Sequence, residues 1–214
     1  MRFRNLAIAG VATVALAASA VVGNAHDHGT HDHDHGKAMI GHAAPDFELV
    51  DHAGNVHKLS DYAGKTVVLE WTNPECPFVV RHYKEDTFID MAKKHEDVVW
   101  LSIDSSHFVT AESASKWAKK EDIAYPILLD ASGEVGKMYN ARTTPHMFVI
   151  DPKGTLVYDG AIDDDPRGKS DERTNYVEAA LTSVMKGKTV ENATTKPYGC
   201  SVKYGKKDKS AKTS

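Results

Sequence analysis

Apolar and polar positions follow three different rhythms along this chain. In "PDFELVDHAGNVHKL", Phe47 and Leu49 share one side of an extended segment and Val56 sits on its return, past a turn at residues 53–55. That alternation predicts a β-hairpin. "TVVLEW" (66–71) is a continuous run between Gly64 and Pro74, the pattern of a strand buried on both faces. From 77 to 96 the period changes. Phe78, Tyr83, Phe88, Met91 and Ala92 recur at roughly 3.6-residue spacing, which predicts one helix with Pro77 at its start, where a missing N–H costs nothing. Further on come a second buried strand "DVVWLSID", a helix over 111–121, a short strand "YPILLD" and a helical turn "GEVGKMY". The strand "HMFVID", the turn "DPKG", the strand "TLVYDGAI" and a helix over 172–186 complete the series. Strands alternating with helices predict an α/β fold: a central mixed, mainly parallel sheet flanked by helices, with an N-terminal hairpin. Trp71 and Trp100, ending buried strands, belong to its core.

The periodic signal runs from about 38 to 190, one domain's worth of the 214 residues, and the flanks differ from it. Residues 1–25 carry Arg2 and Arg4, then an apolar, alanine-rich stretch, then small residues up to Ala25, the three-part pattern of a secretory signal peptide. The stretch is too short and too alanine-rich for a membrane span, and no other segment could cross a bilayer. The expectation is a periplasmic or secreted protein with no span after cleavage. Residues 26–37 form a His/Asp-rich arm with no large apolar side chain, which reads as solvated. Residues 191–214 form a polar tail with a lysine-rich end, which by composition should drift.

Charge excludes one class of partner. Cleavage at Ala25 removes two basic and no acidic residues, moving the net charge from −4 to −6, so nucleic acid is not an expected partner.

Chemistry concentrates on the only two cysteines. In an oxidising compartment they allow one intramolecular bond. Cys76, in "TNPECPFVV", falls where a central strand ends and a helix begins, so free helix N–H groups and the positive end of the helix dipole favour a thiolate. The alternative reading is a small buried hydrophobe. Asn73, Pro74 and Pro77 favour an exposed turn. Cys200, in "TTKPYGCSVKY", lies in a polar segment beyond the last helix. If that tail folds back, Cys200 can resolve an oxidised Cys76; otherwise the pair is a structural bond closing a long loop, stabilising by ~4 kcal/mol. Arg81 and His82 are candidates for stabilising a thiolate should the helix start be irregular.

"PDFELVDHAGNVHKLSDYAGKTVVLEW", "NPECPFVVRHY" and "TTPHMFVIDPKG" together resemble the thioredoxin-like superfamily, specifically its alkyl hydroperoxide reductase/thiol-specific antioxidant, peroxiredoxin-like branch, over about 43–184. The resemblance implies a cis Thr144-Pro145 bond, with Thr144 and Pro145 shaping a groove for an extended thiol substrate beside Cys76. It also implies a thiol-based oxidoreductase acting on a peroxide or a protein disulfide, no required cofactor, and an external thiol reductant. Two departures matter. Thioredoxins carry a second cysteine where Val79 stands. Peroxiredoxins carry Thr or Ser where Asn73 stands and an arginine near Pro145, whereas Arg142 is displaced by three residues.

A second function class rests on the arm. His26, His28, His31, His33 and His35, interleaved with aspartates, suit loose binding of Cu²⁺ or Zn²⁺. A mature chain beginning His26-Asp27-His28 would also offer Cu²⁺ a planar set of terminal amine, two amides and the His28 imidazole. On this reading the protein is a periplasmic metal-binding module on a non-catalytic scaffold.

Overall fold

The computed structural model describes residues 36–206 apart from Asp171. The signal-peptide segment 1–25, the five arm histidines His26, His28, His31, His33 and His35, and the end 207–214 lie outside the described residues.

Strands β1 (Glu48–Asp51) and β2 (Val56–Lys58) form the expected hairpin. Strand β3 (Val67–Trp71) is followed by helices α1 (Pro77–Lys84) and α2 (Thr87–Lys94), then β4 (Val99–Asp104) and α3 (Ala111–Lys120). Next come β5 (Ile127–Leu129), α4 (Glu134–Met138), β6 (Thr143–Thr144), β7 (His146–Ile150), β8 (Leu156–Gly160), α5 (Tyr176–Met185) and β9 (Cys200–Ser201). Among the described residues, seven strands make one mixed sheet in the order β2-β1-β5-β4-β3-β7-β8. Parallel pairing joins β3, β4 and β5; the hairpin and β7–β8 extend this centre with antiparallel strands on either side.

Strand β3 has sheet neighbours on both sides and buries all five residues, as its apolar run demands. Its alternating side chains feed two apolar layers. One joins Val68 with Tyr83, Phe88, Trp100, Trp117, Met147 and Leu181; the other joins Leu69 and Trp71 with Leu101, Ile103, Tyr139 and Phe148. Each fully buried large apolar side chain contributes roughly 1.5–3 kcal/mol.

Two expected helices change. The single helix over 77–96 is two, because Asp86 takes a left-handed conformation (φ 53°) between them. Aspartate tolerates that region, and Arg173 secures the corner by bonding Glu85 (2.6 Å) and Thr87 (3.3 Å). The break lets Tyr83 from α1 and Phe88 and Met91 from α2 enter the same layer. The last helix begins at Tyr176 rather than 172, where the Asn175 side chain caps it by accepting the Glu178 N–H at 2.9 Å.

The tail departs most from expectation. Residues 191–204 are fastened along the domain instead of drifting. Thr195 N–H donates to the Asp159 carbonyl (3.1 Å), β9 pairs antiparallel with β6, and Val202 N–H donates to the Arg142 carbonyl (3.2 Å). The Lys203 carbonyl accepts from His107 N–H (2.9 Å), and the Tyr204 hydroxyl donates to the Ala141 carbonyl (2.8 Å). Backbone pairing, which composition does not register, holds this strap.

Candidate active site

The site forms where β3 gives way to α1. Thr72 N–H still bonds the Ile103 carbonyl (2.9 Å), keeping the chain in the sheet, and the Asn73 side chain then organises the turn. Its oxygen accepts Glu75 N–H (2.7 Å) and its amide donates to Ser106 Oγ (2.8 Å). Asn73, which stands where a peroxiredoxin has Thr or Ser, is thus occupied with the turn. Cys76 becomes the N-cap of α1, with Pro77 following it as the sequence implied.

Across from Cys76 lies the Thr144-Pro145 loop, with a cis peptide bond. The Thr144 carbonyl accepts the Cys76 thiol (2.8 Å), and the next strand over is β9, where Cys200 pairs with Thr144. Both cysteines are free thiols; Cys76 is 2% exposed and Cys200 half-buried. Gly199 makes the approach possible. Its φ of 136° is outside the usual range of L side chains, and a Cβ there would collide with the Thr144 carbonyl.

The two sulfurs are electrostatically unequal. Burial pushes the Cys76 thiol up, but hydrogen bonds from the Thr144 side chain, the Val79 N–H in the first turn of α1, and the Cys200 thiol and N–H outweigh it. They hold Cys76 below its ordinary value. Cys200 moves the other way, pushed up to about 11 by burial, by its hydrogen bond to Cys76 and by the charge of that sulfur. In the pair, Cys76 loses its proton first.

Arg81 and His82 do not supply positive charge to Cys76. Burial, then the charges of Arg81 and Arg173, hold His82 down to about 3, so its imidazole is neutral. Arg81 donates to the Asp165 carbonyl (3.0 Å) and the Tyr198 hydroxyl (3.3 Å). Both residues serve the strap. Helix N–H groups and Cys200 take the role expected of them.

Three residues outside the sequence reading matter here. Tyr198 and Asp163 meet Arg81 and His82. Glu70, fully buried inside "TVVLEW", accepts from Trp100 Nε1 (2.9 Å) and the Tyr83 hydroxyl (2.9 Å), and burial raises its carboxyl to about 7. A carboxylate inside an apolar strand was the available signal for it. Among the described residues no group of three or more His, Cys, Asp or Glu is arranged to hold a metal ion, and no helix is long and apolar enough to cross a membrane.

A thiol at a strand-to-helix junction, facing a cis-proline loop and paired with a second thiol, defines a thiol-based oxidoreductase of the thioredoxin-like class. The particular family follows from sequence: residues 40–159 match the AhpC/TSA family, and the chain belongs to it. Similar proteins include the thiol-disulfide oxidoreductase ResA of Geobacillus kaustophilus, 30% identical over 119 residues, covering 55% of this chain and 66% of that protein, just under two thirds. Peroxiredoxin-2 of Mus musculus is 31% identical over 160 residues, 67% of this chain and 80% of that one. Among solved structures, an uncharacterised conserved protein from Geobacillus kaustophilus superposes with a TM-score of 0.71 at 27% identity, covering 79% of this chain and 94% of that one. A hypothetical protein from Sinorhizobium meliloti gives 0.69 at 29% identity, covering 79% and 96%.

Proposed function

We propose that this protein is an exported thiol-disulfide oxidoreductase in which Cys76 is the nucleophile and Cys200 the resolving thiol. The carrying observation is the placement of the pair: Cys76 caps α1 against the cis Thr144-Pro145 loop, and β6–β9 pairing sets Cys200 opposite Thr144, whose carbonyl the Cys76 thiol contacts. The Cys76 thiolate attacks a sulfur of a protein disulfide, forming a mixed disulfide and releasing the other substrate sulfur as a thiolate that takes up a proton. That step removes the charge on Cys76. Two of the three influences raising Cys200 then disappear, so Cys200 loses its proton more readily and attacks Cys76, releasing the reduced substrate and leaving a Cys76–Cys200 bond. An external thiol reductant restores the pair. Export rests on the signal-peptide pattern of residues 1–25.

Peroxide reduction is the second reading, and the near-complete burial of Cys76 favours it, because a small oxidant reaches a covered sulfur more easily than a folded substrate does. Here the thiolate would cleave the O–O bond to give a sulfenic acid and an alcohol or water. Cys200 would then condense with it, releasing water. Stopped-flow oxidation of the reduced protein by hydrogen peroxide and by a peptide disulfide, each compared with Cys76→Ser, separates the two. Faster reaction with the disulfide supports exchange; reaction with peroxide alone replaces it; no dependence on Cys76 overturns both. Loose Cu²⁺ or Zn²⁺ binding by the arm rests on the sequence of residues 26–37 and is tested by titrating the mature chain with Cu²⁺ before and after His28→Ala.

A further inference from the structure

The strap is tied to α1 by an unusual side chain. Tyr198, two residues before Cys200, places its hydroxyl between His82 Nε2 (2.9 Å), Arg81 (3.3 Å) and Asp163 Oδ1. Its ring lies 6.0 Å from that of Phe78, also on α1. The hydroxyl has one proton, which goes to Asp163. Arg81 donates to the same oxygen, and His82 Nε2 lies within hydrogen-bond distance of both the Tyr198 hydroxyl and Arg81 (3.1 Å). The cage keeps buried atoms without a hydrogen bond, namely His82 Nδ1, Asp163 Oδ2, and Nε and one terminal nitrogen of Arg81, although Asp163 Oδ2 faces Arg173 (3.8 Å) and Arg81 faces Glu85 (3.6 Å). A neutral histidine, an arginine and a carboxylate converge on one phenol.

What the phenol controls is position. Phe78, Arg81 and His82 belong to the helix that Cys76 caps, so the Tyr198 anchor and Cys76 share one rigid element. Cys200 follows after a single residue, Gly199, which is pressed against Thr144. Strand β9 is only two residues long and cannot by itself hold a register. We propose that Tyr198 is a positioning residue for the resolving step: its hydroxyl, clamped by His82, Arg81 and Asp163, sets the effective concentration of Cys200 at Cys76. This rests on the reading of Cys76 and Cys200 as the redox pair. Fixing the second thiol converts an encounter into an intramolecular step.

The test uses the full mature protein and oxidised glutathione. Cys76 attacks glutathione disulfide and releases one glutathione; Cys200 then gives up its proton, attacks Cys76 and releases the second, so two electrons leave the protein and reduce one disulfide. Two variants are compared with wild type. Tyr198→Phe keeps the ring and removes the hydroxyl, and a second protein carries two extra glycines after Tyr198, leaving the cage intact while loosening Cys200. In both, release of the second glutathione should slow at least tenfold, and the equilibrium constant for the Cys76–Cys200 bond should fall at least tenfold. The first step, measured in a Cys200→Ser background, should stay within twofold, which a merely structural role for Tyr198 does not predict. Wild-type values for release and equilibrium in a folded Tyr198→Phe overturn the proposal whatever the glycine-extended protein does. If Tyr198→Phe does not fold, the glycine-extended protein decides alone: a tenfold drop supports positioning and no change overturns it. Failure of the wild type to form a Cys76–Cys200 bond overturns instead the functional reading beneath it.

Discussion

Cys76 follows, after a short turn, a strand whose five residues are all buried and paired on both sides, and it caps the start of a helix. Cys200 stands in a two-residue strand with a single partner, held by one glycine, the two tyrosines Tyr198 and Tyr204, and a few backbone bonds. The same side chain therefore acquires opposite properties, lowered in one place and pushed up in the other. The rigid region lowers one thiol; the strap brings a second, protonated one beside it. On the proposed reading, reactivity depends on the sheet and turnover on the strap.

Removing the rigid thiol should have the largest effect. Cys76→Ser is expected to lower turnover by at least ~10⁴-fold, because the step that forms the covalent intermediate disappears. Activity surviving at a tenth of wild type would transfer the nucleophile to Cys200 and invert the comparison. Cys200→Ser, whose hydroxyl and N–H can still donate to the Cys76 sulfur, should leave first attack close to the wild-type rate but slow product release by ~10³-fold, since an intramolecular thiol is replaced by one from solution. Mass spectrometry should then find the mixed disulfide accumulating on Cys76.

The scaffold carries its own signature in pH. Burial raises the folded carboxyl of Glu70 from 4.5 to about 7. The unfolded chain releases that proton near pH 4.5 and the folded chain near 7. The stabilising contribution is therefore complete below pH 4.5 and lost as pH rises to 7, an effect on the order of 3 kcal/mol. Glu70→Gln should flatten this limb in urea titrations. Some slope will persist, because burial raises Asp104 to about 6 in the same direction. An unchanged slope in the variant would mean that Glu70 is ionised in the fold.

The smallest effect belongs to the strap. Gly199→Ala forces a side chain into φ 136° and against the Thr144 carbonyl, at a cost of roughly 1–3 kcal/mol. Because the strap is the weaker region, this cost should appear as faster backbone amide exchange at β9 and β6 while exchange in β3 and β4 stays at the wild-type rate. Equal acceleration in all four strands would show strap and scaffold to be one cooperative unit.

Much of the rigid region was legible in the chain. A run such as "TVVLEW" has one low-energy fate, burial between neighbouring strands, and Pro77 after Cys76 marks a helix start whatever surrounds it, because both rest on local geometry and on the removal of apolar surface from water. "DPKG" and the hairpin were local in the same way. Where local signals were ambiguous, distant residues decided. The continuous period over 77–96 concealed a break that Arg173 stabilises from 86 residues away. The tail was polar by composition, yet it is held by backbone hydrogen bonds, which any sequence can make once another strand is within reach. The charge state of His82 and the proton order of the two thiols also lay beyond the sequence, since each follows first from burial and in part from partners more than 50 residues distant, Arg173 for His82 and Thr144 and Cys200 for Cys76. Sequence determined that Cys76 sits at a helix start; only the tertiary structure decided that Cys200 meets it, because that meeting is made by contacts that leave no periodicity in the chain.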